Sequence, residues 1–82
     1  MSWETVDGKK LRKVFKFPDF KGALQFVNRV GAEAEKQNHH PDIHLFYGRV
    51  EIETWSHDAG GITDRDHRLS KTIDQLYKGE LG

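Results

Sequence analysis

The 82-residue chain contains no cysteine, which excludes a disulfide framework and any zinc site built on thiolates. It also lacks an excess of either charge. Lys and Arg number 13, as do Asp and Glu, whereas nucleic-acid-binding proteins usually carry a basic excess. No apolar run approaches the roughly 20 residues of a membrane span, and the opening residues lack the apolar core of a signal peptide. These absences predict a water-soluble, cytoplasmic protein without a nucleic-acid or membrane partner.

The chain is too short for a large core. A protein of this length buries only about 60 to 65% of the surface that its unfolded chain exposes. Hydrophobic residues make up 35% of the sequence and charged residues 32%, which suits a globular domain. We expect a single domain over residues 1–82. We also expect it to associate with copies of itself, because each interface would bury further apolar surface.

Six secondary-structure elements are predicted from the periodicity of the apolar residues. Strands are expected at 3–6, 11–17, 42–47 and 49–55, and helices at 20–37 and 63–78. The order is therefore β-β-α-β-β-α. Two hairpins, each followed by a helix, predict an α+β fold: a four-stranded antiparallel sheet with two helices on one face.

Local signals mark the ends of these elements. Asp7-Gly8 is a favoured hairpin turn pair, Asp19 suits the N-cap of the first helix, and Pro41 is expected to close that helix. The predicted apolar stripes consist of Phe20, Ala23, Leu24, Val27, Val30, Gly31 and Ala34 in the first helix, and of Leu69, Ile73, Leu76 and Tyr77 in the second.

The strands have two faces because their side chains alternate. In the second strand Leu11, Phe15 and Phe17 lie on one face; in the fourth, Val50, Ile52 and Thr54 lie on one face and Glu51, Glu53 and Trp55 on the other. The faces that carry Trp55 and Phe46 are not plainly polar. We interpret this as a hint of a partner surface.

Three of the five histidines lie at the two ends of the predicted second hairpin. His39 and His40 directly precede Pro41, whose rigid backbone holds neighbouring side chains in place. His57 follows the fourth strand, ahead of small residues that let the backbone approach a ligand. Because the two ends of an antiparallel hairpin lie side by side, the three imidazoles are predicted to converge at one edge of the sheet. Histidine titrates near neutral pH, so such a cluster can supply a general acid and a general base.

Simpler explanations exist for several of these residues. Any single surface histidine is more often incidental than functional, and we treat His44 and His67 as surface residues. Glu35 is most simply a solvated helix residue. Thr63 and Asp66 have the spacing of a capping box, with Asp in the usual place of Glu, so helix capping alone would account for them.

A metal site is the rival interpretation of the histidine cluster. His40 and His44 are four residues apart, which is a zinc spacing on a helix. Pro41 lies between them, however, and the segment is predicted to be a strand, so the two rings should not share a helical face. No matching carboxylate pattern is evident, and we therefore predict no metal.

A set of spaced residues carries a family resemblance. It comprises Glu35, His39, His40, Pro41, Tyr47, Val50, Ser56, His57, Gly61 and Asp66. This pattern resembles the pterin-4a-carbinolamine dehydratase family, in which an acidic residue precedes His-His-Pro, and an aromatic residue, a Thr-His pair and a Gly-Leu-Ser/Thr-x-x-Asp stretch follow. The resemblance extends from Trp3 to about Lys78.

The departures from the family pattern are small. Ser56 replaces the commoner Thr and keeps its hydroxyl, Ile62 replaces Leu, and His67 stands where an apolar residue is common. The chain also begins at the first strand, without the N-terminal extension of animal members. That difference argues against a transcription-coactivator role like the one animal members have.

The resemblance implies an activity: dehydration of a 4a-hydroxytetrahydropterin to a quinonoid dihydropterin, after an aromatic amino-acid hydroxylase has used tetrahydropterin and oxygen. It implies no metal and no bound cofactor, a small-molecule pterin as the partner, and a homodimer or homotetramer. An alternative is a pterin-binding or accessory protein of another pathway, such as one linked to molybdopterin.

The resemblance also implies roles for individual residues. His39 and His57 are expected to perform the acid–base work, with the acid and the base not yet distinguished. His40 is expected to position the substrate and to assist. The residues expected to line the pterin site are Pro41, Ser56, His57, Asp58 and Ala59. Asp66 is expected to orient a histidine as well as to cap the second helix.

Overall fold

The computed structural model describes residues 2–81 and contains six elements in the predicted order. The strands are β1 (Glu4–Val6), β2 (Lys10–Lys16), β3 (Asp42–Phe46) and β4 (Arg49–Thr54), and the helices are α1 (Phe20–Gln37) and α2 (Asp64–Leu81). The strands pair antiparallel in the order β1-β2-β4-β3. The α+β fold predicted from the sequence is confirmed.

The β3–β4 hairpin brings two distant parts of the chain together. Asp42 pairs with Glu53 at the open end of the hairpin, whereas Phe46 pairs with Arg49 beside its turn. The segment before β3 and the segment after β4 therefore leave the sheet at the same edge. All three histidines of the predicted cluster lie in these two segments.

A short polar residue marks each end of α1. The Asp19 carboxylate accepts a hydrogen bond from the Gly22 N–H at 2.8 Å, which confirms the predicted N-cap. At the other end Asn38 adopts the left-handed conformation (φ 52°, ψ 41°) and stops the helix after Gln37, three residues before Pro41 is reached. Neither described helix is long and apolar enough to cross a membrane.

The core lies between the sheet and the two helices. Its fully buried members include Phe15, Val50 and Ile52 from the sheet, Ala23, Phe26 and Val30 from α1, and Leu69 and Ile73 from α2. Phe26 is 0% exposed, and its ring centroid lies 5.0 Å from that of Phe15. The predicted stripe of α1 omitted Phe26 and included Phe20 and Leu24, which are 42% and 40% exposed. The buried stripe follows the 23, 26, 30, 34 spacing, because these are the α1 positions that face the sheet.

The outer face of the sheet is more polar than the sequence suggested. Arg12 forms ion pairs with Glu51 at 3.2 Å and Glu53 at 3.7 Å across β2 and β4. The guanidinium of Arg49 lies 3.9 Å from the centre of the Phe46 ring. Cross-strand charge pairs and a cation–π contact thus cover much of the face that we interpreted as a partner surface.

Candidate active site

The turn after α1 sends two adjacent histidines into different environments. The His39 N–H donates to the carbonyl of Ala34 at 3.1 Å, which ties the reversed chain back onto the last turn of the helix. The His39 side chain is buried, with the residue only 8% exposed, whereas His40 is exposed. One imidazole therefore faces the protein interior and the other remains in solvent.

A buried carboxylate holds the interior imidazole. Asp66 is 0% exposed and lies in the first turn of α2, where the positive end of the helix dipole favours a negative charge. Its Oδ1 is 2.6 Å from both His39 Nε2 and Thr54 Oγ1. Its Oδ2 accepts from Ser56 Oγ at 2.8 Å and from the Thr63 N–H at 2.9 Å. The last of these bonds is the predicted capping-box bond, so Asp66 both caps α2 and contacts a histidine.

The hydrogen bonds keep Asp66 ionised. Burial opposes the charge, but hydrogen bonds from Thr54, His39, the Thr63 backbone and Ser56 outweigh it and lower the pKa of Asp66 from 3.8 to about 2. A carboxylate with this pKa is an anion throughout the neutral range. It can accept hydrogen bonds and cannot donate one.

The anion determines which nitrogen of His39 carries a proton. Because the Asp66 carboxylate only accepts, His39 Nε2 must be the donor in their 2.6 Å contact. Nδ1 is then the nitrogen that can exchange a proton with another molecule. The arrangement fixes both the tautomer and the orientation of the ring, which an acid–base catalyst requires.

The other two histidines are held less tightly. His40 Nε2 contacts the Glu35 carboxylate, and both side chains are largely exposed. Glu35 is an exposed residue of α1, as expected from the sequence, and its carboxylate also contacts the imidazole of His40. The His57 ring is exposed and stacks on Trp55, with centroids 3.9 Å apart and planes inclined by 34°. Stacking restricts the ring of His57 but leaves its edge open to solvent.

The three histidines border one cleft of about 380 Å³. Its lining residues are Asn38, His39, His40, Trp55, His57, Asp58 and Arg65. Four of the residues predicted for the site thus meet at this cleft: His39, His40, His57 and Asp58. Ser56 and Asp66 are buried behind it, where they hold His39 by the network described above. Pro41 and Ala59 are not among the lining residues.

Sequence reasoning missed three residues of the cleft. The sequence pattern places Trp55 on a face interpreted as a partner surface and does not predict a site role for Asn38 or Arg65. Arg65 Nη2 donates to Asp58 Oδ1 at 2.6 Å, and this bond lowers the pKa of Asp58. An arginine directly before the capping aspartate was the available signal for Arg65, because Asp66 lies beside the histidines. The pair places a guanidinium and a carboxylate at the cleft.

The polar groups of the cleft suit a flat, hydrogen-bonding heterocycle. Within residues 2–79, no group of three or more His, Asp or Glu side chains is arranged to hold a metal. Imidazole, guanidinium and carboxylate groups can instead meet ring N–H groups and a carbonyl, while Trp55 offers an aromatic surface.

Comparison with known proteins places this arrangement in a family. The family model described as "Pterin 4 alpha carbinolamine dehydratase" matches residues 1–76. A relative from Saccharolobus islandicus (strain M.14.25 / Kamchatka #1) is 47% identical over 72 residues, covering 88% of this chain and 73% of the relative. A relative from Rubrobacter xylanophilus is 49% identical over 74 residues, covering 90% and 69%. Both are provisionally named as pterin-4-alpha-carbinolamine dehydratases.

Two solved structures are similar in fold. A transcriptional coactivator/pterin dehydratase from Brucella melitensis superposes with a TM-score of 0.87 at 31% identity, covering 93% of this chain and 82% of that one. A pterin dehydratase-like protein identified as a RuBisCO assembly factor in the alpha-carboxysome superposes with a TM-score of 0.80 at 20% identity, covering 94% and 90%. At that identity the second likeness demonstrates the shared fold alone.

Proposed function

Because the chain belongs to the pterin-4-alpha-carbinolamine dehydratase family, we propose that it removes water from a 4a-hydroxytetrahydropterin and releases a quinonoid dihydropterin. Histidines act as the acid and the base. The observation that carries the proposal is the meeting of three imidazoles at one cleft, one of them tied to a buried carboxylate. The biological setting that we propose is the recycling of tetrahydropterin after aromatic hydroxylation.

The reaction requires two proton movements. The C4a–O bond breaks with its electron pair on oxygen, and a general acid protonates that oxygen so that water leaves instead of hydroxide. The lone pair of the neighbouring ring nitrogen forms a C=N bond to C4a, and a ring N–H gives its proton to a general base. Each positioned acid or base contributes about 10²–10⁴-fold to the rate. No redox step and no covalent intermediate are needed.

His39 and His57 are the proposed acid–base pair. His39 exchanges a proton with the substrate through Nδ1, because its Nε2–H donates a hydrogen bond to Asp66. His57 belongs to the segment after β4, so it approaches the cleft from a different part of the backbone than His39. Two groups on separate segments can address the hydroxyl and the ring N–H at the same time. The structure is compatible with either of the two as the acid.

The remaining polar groups of the cleft are proposed to bind the pterin. His40 contacts the body of the substrate, with its ring oriented by Glu35. Asp58 and Arg65 line the cleft, where Arg65 donates a hydrogen bond to Asp58. The carboxylate can accept from the donors of the pterin ring system, and the guanidinium can donate to its carbonyl. Pro41 and Ala59 are proposed to shape the surrounding backbone.

A direct assay tests the proposal. Synthetic 4a-hydroxytetrahydropterin is mixed with the protein, and formation of the quinonoid dihydropterin is followed against the spontaneous rate. We expect acceleration that is proportional to protein concentration. The matched control is a double variant, His39→Ala with His57→Ala, whose folding is verified by circular dichroism. Acceleration by the wild-type protein that the double variant retains in full would contradict the assignment.

The same assay separates an enzyme from a binding protein. Pterin binding by titration calorimetry without any acceleration would favour the alternative role, an accessory protein of another pterin pathway. A further discriminator is genomic. The absence of an aromatic amino-acid hydroxylase from the source organism would weaken the recycling role but leave the chemistry intact.

A further inference from the structure

One buried side chain of the core is polar where a purely apolar one would fit. Thr54 ends β4 on the face that also carries Val50 and Ile52, and all three are 0% exposed. On the neighbouring strand its pairing partner is the buried Leu11. Packing alone would be satisfied by valine, which has nearly the same shape. The hydroxyl therefore needs a separate explanation.

That hydroxyl donates to the carboxylate oxygen that also holds the catalytic imidazole. Thr54 Oγ1 and His39 Nε2 each lie 2.6 Å from Oδ1 of Asp66. The other oxygen, Oδ2, accepts from Ser56 and from the Thr63 N–H. The four hydrogen bonds occupy the roughly four acceptor sites of a carboxylate. Asp66 thus cannot rotate without breaking hydrogen bonds to the end of β4 and the segment after it, to the residue before α2 and to the turn after α1.

We propose that Thr54 is a positioning residue for the proposed dehydration: by fixing Oδ1 of Asp66 it fixes the ring orientation and the tautomer of His39. The inference rests on the proposed function for its link to catalysis. Its structural half, the control of the His39 ring, does not depend on that function. Thr54 itself lies behind the cleft and does not line it.

The physical argument concerns freedom of rotation. Without the Thr54 hydroxyl, one acceptor site of Oδ1 has no partner in a buried location, and the carboxylate gains freedom to turn toward its remaining donors. The His39 Nε2–H follows the oxygen, so the direction of Nδ1 changes. A misplacement of about 1 Å costs on the order of 10²-fold in rate, so a smaller displacement should cost about 10-fold.

The test compares two substitutions of Thr54 with one control substitution and keeps one further Thr54 variant in reserve. Thr54→Val removes the hydroxyl and keeps the shape, and Thr54→Ser restores a hydroxyl. The matched control is Thr72→Val: it removes a hydroxyl that accepts from Gln37 at 2.9 Å and donates to the Arg68 carbonyl, at the contact between the two helices. Thr54→Ala provides a second hydroxyl-free variant if the valine variant does not fold. For each, the ring nitrogen and Nε2–H signals of His39 are recorded by NMR, and kcat and KM are measured.

We expect Thr54→Val to shift the His39 ring signals and to lower kcat about 10-fold, with KM changed by less than about 2-fold. Thr54→Ser should have the His39 ring signals and the kcat of the wild-type protein, and Thr72→Val should alter neither quantity. A folded hydroxyl-free variant with wild-type His39 signals would overturn the inference, as would shifted signals with an unchanged kcat. If the wild-type protein has no dehydratase activity, shifted His39 signals still support the positioning contact, and the proposed function alone fails.

Discussion

Replacing Asp66 by Asn should remove about 1 kcal/mol of the stability that this protein loses between pH 7 and pH 3. The folded protein lowers the pKa of Asp66 from 3.8 to about 2. At about 1.4 kcal/mol per pKa unit, the ionised carboxylate contributes about 2 kcal/mol to the free energy of unfolding at neutral pH. Because the folded-state pKa is the lower one, this stabilisation is complete above the unfolded pKa and is lost as the pH falls toward 2. About half of this contribution to the free energy of unfolding should be lost at pH 3.

The asparagine variant carries a second, pH-independent penalty. Its amide oxygen can still accept from His39 and Thr54, but its NH₂ group would face the Thr63 N–H, which now reaches Oδ2 at 2.9 Å. Two donors then oppose each other in a buried location, at a cost of about 1–3 kcal/mol. The wild-type protein should therefore be more stable by about 3–5 kcal/mol at pH 7, and this difference should shrink by about 1 kcal/mol at pH 3.

Urea unfolding of both proteins from pH 7 to pH 3 measures this difference, with the protein concentration held fixed because self-association would add to stability. Asp42→Asn is the matched control, since Asp42 is an exposed carboxylate at the start of β3. The Asp42→Asn substitution should change the free energy of unfolding by nearly the same amount at each pH from 7 to 3. If the stability difference between the wild-type protein and Asp66→Asn stays constant from pH 7 to pH 3, the hydrogen bonds do not favour the ionised carboxylate and the reasoning is wrong.

Three further predictions concern catalysis and assembly. His39→Ala and His57→Ala should each lower kcat by about 10²-fold or more, whereas His40→Ala should mainly raise KM; steady-state kinetics in which His40→Ala damages kcat most would reverse the assignment. Activity should survive dialysis against a strong chelator, because the proposed role of the histidines is that of acids and bases, and loss of activity that zinc restores would contradict this proposal. The protein should be a homodimer or homotetramer, since Phe20 and Tyr47 among other large apolar side chains are 42% and 72% exposed. Light scattering that gives a mass of 9.5 kDa at micromolar concentration would refute it.

The elements of the fold were predictable because their signals are local. Asp7 and Gly8 both have positive φ in the β1–β2 turn, as the Asp-Gly pair indicated, and Asp19 caps α1. Alternation in β4 identified Val50, Ile52 and Thr54 as one face, and that face is buried. Each of these features depends on a few neighbouring residues, so the sequence alone was sufficient.

The meeting of the histidines followed from topology and needed no side-chain detail. The two ends of an antiparallel hairpin must lie side by side, so residues just before β3 and just after β4 become neighbours whatever their side chains are. The topology did not predict that His39 would be buried and His40 exposed. This difference depends on the left-handed turn at Asn38, which sends one ring inward and leaves the other in solvent.

The resemblance implied that Asp66 orients a histidine, but only the tertiary structure decided which histidine and through which atoms. His39 and Asp66 are 27 residues apart with β3 and β4 between them in sequence, and their contact exists because α1 and α2 pack on one face of the sheet. The same packing buries Phe26 and leaves Leu24 exposed, and it brings Arg65 to the cleft beside Asp58. Residue patterns predict which side chains share a face of one element. The packing of the elements decides which side chains of different elements meet. A shift of β4 by one residue in register, for example, would give Asp66 other partners.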